Sequence, residues 1–208
     1  MKKMTSLAIG TLMGTLAFSA QAVIVNGDFE TGNLNGWTAT VPFGGSAGAV
    51  LGGVGGIAPN GGSYMAQLKT DGPGSQTTLT QSIHLNMNDT ASGFVNWYDA
   101  ELANNQPNIF NDNVWVNILD SGGSLVSQVF YYQHAGNTSI VNGWEQWSFS
   151  AAYSGTYTIE FGIQNIGDSA VDSFAYFDDN SVEAPEPGIL ALLGLGLAGL
   201  GFRRRFKA

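Results

Sequence analysis

The sequence predicts an all-β protein built as an antiparallel β-sandwich. Three observations carry this. Short runs alternate between apolar and polar residues with period two, as in Gln76–Leu85 and residues 157–164. A strand sends successive side chains to opposite faces, so such runs suit a sheet with one face on a core. Glycine-rich turns separate the runs at short spacing. Between residues 23 and 184 no long stretch keeps apolar residues at helical spacing, and neither an internal repeat nor a βαβ rhythm is present.

The elements follow in order. Residues 23–30 read as a short first strand. Gly32 and Gly36 then turn the chain toward Trp37, a core anchor. Residues 42–62 form a glycine-rich loop with little side chain to bury, either a plain surface loop or the wall of a binding groove. Residues 63–69 alternate, and 71–74 make a turn. Gln76–Leu85 places Leu79, Gln81, Ile83 and Leu85 on one face and Thr78, Thr80, Ser82 and His84 on the other. Residues 92–99 are a further strand, and 100–112 a polar connection containing Pro107. Residues 113–119 set Val114, Val116 and Ile118 against Trp115 and Asn117. The turn 120–123 leads into 125–132. Strands at 144–149, at 157–164 (Tyr157, Ile159, Phe161 and Ile163 on one face) and at 174–182 complete a set of nine.

Charge narrows the function. Residues 23–184 hold fifteen acidic residues and one basic residue, Lys69, a net of −14. Such a surface repels phosphate backbones, which excludes nucleic acid as a partner, and it suits divalent cations or neutral polymers. There is no cysteine, so the domain relies on its core or on bound metal.

Both termini read as addresses. Lys2 and Lys3, an apolar stretch over 7–18 and Ala20-Gln21-Ala22 compose a secretory signal peptide, with signal peptidase cutting after Ala22. An uncleaved membrane helix is the alternative. At the other end, Pro185-Glu186-Pro187 precedes fourteen residues, 189–202, without a polar side chain. As a helix they would span about 21 Å, short of the roughly 20 residues a membrane crossing needs. The basic residues Arg203, Arg204, Arg205 and Lys207 follow at once, as the positive-inside rule expects, and their snorkelling would lengthen the span. This tail resembles the PEP-CTERM sorting signal of Gram-negative bacteria. The resemblance covers the last tenth of the chain. It implies an exosortase as partner, processing near Pro185, Glu186 and Pro187, transient membrane anchoring, and residence at the cell surface or in an extracellular matrix.

A second resemblance spans the domain in outline. Asn26-Gly27-Asp28-Phe29-Glu30 with Gly36-Trp37 is similar to the opening of galactose-binding-like jelly-roll domains, and Phe177-Asp178-Asp179 with Ser181-Val182 to their closing strand. Asn180 stands where a hydrophobic residue is common, which disturbs the strand phase. The resemblance implies a jelly-roll domain over 23–184, related to carbohydrate-binding modules. It also implies terminal strands that run near each other, with calcium often bound between them. Asp28, Glu30, Asp178 and Asp179 would then supply hard oxygen ligands for Ca²⁺, with Asp172 in reserve. Ordinary solvated acids are the alternative.

For a sugar, the candidates are aromatic faces at Trp97, Tyr98, Trp115, Tyr131, Tyr132 and Trp144, with Tyr153 besides. Trp97-Tyr98 and Tyr131-Tyr132 are adjacent pairs, so one of each must leave the core. Trp115 is out of phase with its apolar neighbours. Catalysis finds little support. His84 and His134 read as surface residues outside any metal or nucleophile motif, and Glu101, Glu145 and Glu160 carry no marked spacing. The expectation is an exported protein that binds extracellular polysaccharide without catalysis. A ligand-free structural matrix protein and a secreted hydrolase are the alternatives.

Overall fold

A computed structural model describes residues 22–105, 112–134, 143–167 and 171–185. It contains ten strands: β1 (Thr38–Thr40), β2 (Ser46–Val50), β3 (Met65–Lys69), β4 (Gln76–Leu85), β5 (Thr90–Tyr98), β6 (Asn113–Asp120), β7 (Leu125–Gln133), β8 (Glu145–Ser150), β9 (Gly155–Gln164) and β10 (Phe174–Glu183). One short helix, α1 (Ala100–Ala103), follows β5. Sheet A has the order β1-β4-β9-β6-β7, and sheet B the order β2-β3-β10-β5-β8. Every pairing is antiparallel, and most neighbours are distant in sequence, as in a jelly-roll sandwich.

Strand alternation builds the core. Leu79, Ile83 and Leu85 of β4 face inward with Tyr157, Ile159, Phe161 and Ile163 of β9, all buried. Phe161 is the hub. Its ring stacks on Phe177 of β10 at 4.2 Å and 6°, lies on Trp37 at 5.0 Å, and meets Trp147 of β8 edge-on at 5.9 Å. Phe161 thereby joins sheet A to sheet B and to the N-terminal segment. Each such aromatic contact adds ~0.5–1.5 kcal/mol beyond the area it buries.

The N-terminal segment departs from the expected strand. Residues 23–30 are a series of turns, because Asn26 (φ 50°) and Phe29 (φ 54°) take left-handed backbone that a strand cannot accommodate. The segment is held by a side chain instead. Gln81 accepts from the Val25 N–H at 2.7 Å and donates to the Val25 carbonyl at 2.9 Å, replacing a neighbouring strand. Ile24, Phe29 and Trp37 then bury into the sandwich. The segment also docks on β10, where Asn180 donates to the Gly27 carbonyl through its backbone N–H at 3.0 Å and its amide at 2.8 Å. β10 carries a register shift between Asp178 and Ser181, with Asp179 at φ 49°. The phase disturbance read at Asn180 is this bulge.

The glycine-rich stretch 42–62 is not merely a loop. It contains β2, which extends the edge of sheet B, and a 3₁₀ turn at Val54–Gly56. It folds back over the outer face of sheet B. Gly53 lies on the Tyr176 ring, where an added methyl would come within 2.6 Å, and the Tyr176 hydroxyl accepts from the Val54 N–H at 2.8 Å. Ile57 packs with Met65 and Tyr176 beneath it. The stretch thus covers sheet B around Tyr98, Phe174 and Tyr176, whereas the described residues leave the outer face of sheet A uncovered. Among the described residues no helix is long and apolar enough to cross a membrane. Residues 1–21 and 186–208, including Glu186, Pro187 and the apolar stretch, lie outside the described residues.

Candidate functional site

The open face of sheet A is organised in rows by strand register. Gln133, Asn113, Gln164 and Gln76 lie side by side across β7, β6, β9 and β4. The next row is Tyr131, Trp115, Gly162 and Thr78, and the third is Gln128, Asn117, Glu160 and Thr80. These are the residues that alternate with the inward Val114 and Val116, Phe161 and Ile163, and Leu79. The middle of the face forms a shallow cleft of about 330 Å³.

Tyr131 is the aromatic surface that this cleft offers, and Trp115 is its largely buried floor. The Trp115 indole lies across Gly162, where any Cβ would overlap it; the ring is only 7% exposed. Tyr131, beside it, is 50% exposed. A hydrogen-bond relay fixes the polar groups. Glu160 Oε1 accepts from Trp115 Nε1 at 3.0 Å and Asn117 Nδ2 at 3.1 Å, and Asn117 Oδ1 accepts from Gln128 Nε2 at 3.2 Å. A carboxylate cannot donate, so Asn117 must turn its N–H to Glu160 and its carbonyl to Gln128. Flat aromatic area ringed by oriented amides is what a sugar needs, because its C–H face stacks and its hydroxyls pair.

Other expected ligand residues lie elsewhere. Trp97 and Tyr132 face inward, with rings 4.2 Å apart, and Trp97 is 4% exposed. They are core residues, a correction that follows from strand parity: their neighbours Tyr98 and Tyr131 face outward. Tyr98 packs edge-on against Phe174 on sheet B, and Trp144 donates from Nε1 to the Ala58 carbonyl at 3.0 Å; both join the cluster under the glycine-rich stretch. Tyr153 is exposed in the turn between β8 and β9.

His134 is also corrected, from surface to buried. Its Nδ1 lies 2.7 Å from Asp99 Oδ2, which the Tyr132 hydroxyl also contacts, while Asp99 Oδ1 caps α1 by accepting from the Leu102 N–H at 2.9 Å. Asp99 and His134 side chains are each 1% exposed, so the pair is sealed from any substrate. The pattern Asp99-Ala100-Glu101-Leu102 contains the signal for this cap. The three glutamates weighed for hydrolysis are dispersed. Glu101 is fully buried in α1, Glu145 lies on β8 of sheet B, and Glu160 on β9 of sheet A.

The four expected metal ligands lie near one corner, where the N-terminal segment meets β10. Asp178 is buried. Its Oδ2 accepts from the Asn60 and Gly61 N–H groups at 2.8 and 3.2 Å, and its Oδ1 from the Asp179 N–H at 2.8 Å. Burial pushes its carboxyl up to about 6, the nearby Asp179 charge adds to this, and the three N–H donors pull the other way. Glu30 Oε1 accepts from the Ser63 and Tyr64 N–H groups, both at 2.7 Å. These two carboxylates therefore clamp the backbone at 60–64. Asp28 and Asp179 instead line an open cleft with Asn26 and Asn180. Among the described residues no three carboxylates or histidines form a metal-binding group. A calcium ion would have to complete its shell with amide and backbone oxygens and water. The reserve acid Asp172 pairs with Lys69 at 2.7 Å.

Residues 183–205 match the family model of the PEP-CTERM protein-sorting motif, which marks an exported, membrane-transiting protein. No curated protein matches the sequence. Among solved structures, TmCBM61 in complex with β-1,4-galactotriose is similar, with a TM-score of 0.52 and 15% identity over 77% of this chain and 97% of that one. The K3 and K1 cleaved adhesin domains of Lys-gingipain from Porphyromonas gingivalis W83 each reach 0.51, at 16% and 15% identity. They cover 78% and 76% of this chain and 98% and 96% of their own. At such identities the likeness shows the fold alone, a two-sheet antiparallel β-sandwich.

Proposed function

We propose that this protein is exported by its signal peptide, sorted by an exosortase at its C-terminal motif, and retained at the surface or in the extracellular matrix of a Gram-negative bacterium. There it binds polysaccharide without catalysis, on the open face of sheet A. One observation carries the binding reading. Part of the outer face of sheet B is covered by the chain's own glycine-rich stretch, while the described residues leave that of sheet A uncovered, with exposed Tyr131 beside the largely buried Trp115 among ordered amides. The β-1,4-galactotriose in the TmCBM61 structure makes β-1,4-galactan a natural first probe.

Affinity electrophoresis of the secreted protein through gels containing β-1,4-galactan, β-glucan, xylan or mannan tests this. Retardation by at least one, weakened in Tyr131→Ala, supports the proposal. Free migration in all of them leaves a structural matrix protein, and release of reducing ends would make it a hydrolase.

The proposal includes one Ca²⁺ in the cleft of Asp28 and Asp179, with Asp178 and Glu30 bracing the adjoining backbone. Calcium at 100 times its Kd would stabilise the fold by ~2.7 kcal/mol. That is a rise of about 5–11 °C in Tm over chelated protein. Equal shifts with magnesium would reduce the effect to charge screening.

A further inference from the structure

We propose that Glu160 sets the charge specificity of the sheet A site, so that its ligand is an uncharged, hydroxyl-donating glycan and uronate-bearing polysaccharides are rejected. The inference rests on the binding reading above and goes further by naming the ligand class.

Among the described residues Glu160 is the only charged side chain lining the cleft. Its Oε1 already accepts from Trp115 and Asn117, whereas its Oε2 receives no donor from the described residues. A carboxylate accepts and never donates, so Oε2 needs a donor from whatever occupies the cleft. A sugar hydroxyl supplies one, and a uronate carboxylate does not.

Among the described residues no cation offsets this charge. Lys69 is the sole basic residue between 23 and 184, and it is spent on Asp172 beside sheet B. Trp115 and Asn117 are neutral donors, and by spending N–H groups on Glu160 they hold its carboxylate in place. An acidic sugar set on this floor would put like charges together in a partly desolvated cleft, against a domain whose net charge is −14. The same relay in a neutral form would keep its shape and lose the discrimination, because Gln can still accept from Trp115 and Asn117.

The test uses the secreted protein and whichever uncharged polysaccharide retards it, beside the same polymer oxidised at its C6 hydroxyls to uronates. Isothermal titration at low salt should show the oxidised form binding about tenfold or more weaker. Added salt should narrow the gap. Glu160→Gln should bind the uncharged form roughly tenfold weaker, through loss of a charged acceptor, and should lose the preference between the two forms. Glu145→Gln removes the same charge on sheet B and should leave the preference intact. Circular dichroism and melting confirm that the variants fold. Equal affinity of the wild type for both forms, or an unchanged preference in Glu160→Gln, overturns the inference while leaving polysaccharide binding in place. A changed preference in Glu145→Gln also overturns it, since net charge and not the site would then discriminate. If the wild type binds no uncharged polysaccharide, the binding reading itself fails.

Discussion

Acidifying the calcium-free protein from pH 7 to pH 5 should stabilise it, and Asp178 should account for a defined part of the gain. The carboxyl is buried under residues 60–64, and its pKa is pushed from 3.8 to about 6. The folded state therefore binds the proton more tightly than the unfolded chain. Stability then rises as pH falls through 6, and the gain is complete below 3.8. At ~1.4 kcal/mol per pKa unit, the full gain is ~3 kcal/mol. About 1.3 kcal/mol of it falls between pH 7 and pH 5, or about 3–5 °C in Tm. The fourteen other acids of residues 23–184 also relax as they protonate, so the assay compares wild type with Asp178→Asn by urea unfolding in the presence of chelator. The stability difference between the two proteins should change by ~1.3 kcal/mol across that interval, in favour of wild type at pH 5. Parallel pH profiles would refute the reasoning. They would mean that the three N–H donors fully offset the cost of burying the charge.

Phe161→Ala should destabilise the domain by ~3–5 kcal/mol, because it empties the junction of both sheets and the N-terminal segment; an unchanged urea midpoint would contradict its role as hub. Gly162→Ala should cost ~1–3 kcal/mol and shift tryptophan emission as the Trp115 indole is displaced; silence in both would mean that the indole does not rest there. Intact-mass analysis of surface-extracted protein should show residues 1–22 missing and, where an exosortase is present, a new C-terminus near 185–187. A full-length mass in that host would remove the sorting account.

Alternation was the most legible signal. The inward faces of β4 and β9 follow from Leu79, Gln81, Ile83 and Leu85 and from Tyr157, Ile159, Phe161 and Ile163, because period two is a property of the strand itself. Parity likewise separates Trp97 from Tyr98 and Tyr131 from Tyr132. What failed depended on distant partners. Residues 23–30 have β-branched composition, yet their pairing group is the Gln81 side chain, 56 positions from Val25. β2 is held by backbone bonds and by small contacts of Ala47, Ala49 and Val50, and side chains this small give little pattern to read. His134 is buried because Asp99, 35 positions away, lies under the end of β7. The amides at 76, 113, 117, 128 and 164 are each readable as outward residues, but they become a site only when the register of four strands sets them in rows.

The most direct test of the central claim is a ¹H–¹⁵N titration of the secreted protein with an oligosaccharide of the polymer that retards it. The account predicts shifts at the Trp115 indole N–H, at Tyr131, and at the side-chain amides of Asn117, Gln128 and Gln164, with little change over residues 51–62. Shifts confined to 51–62, Tyr98 and Trp144, with sheet A silent, would contradict it and place the ligand on the face that the chain itself covers.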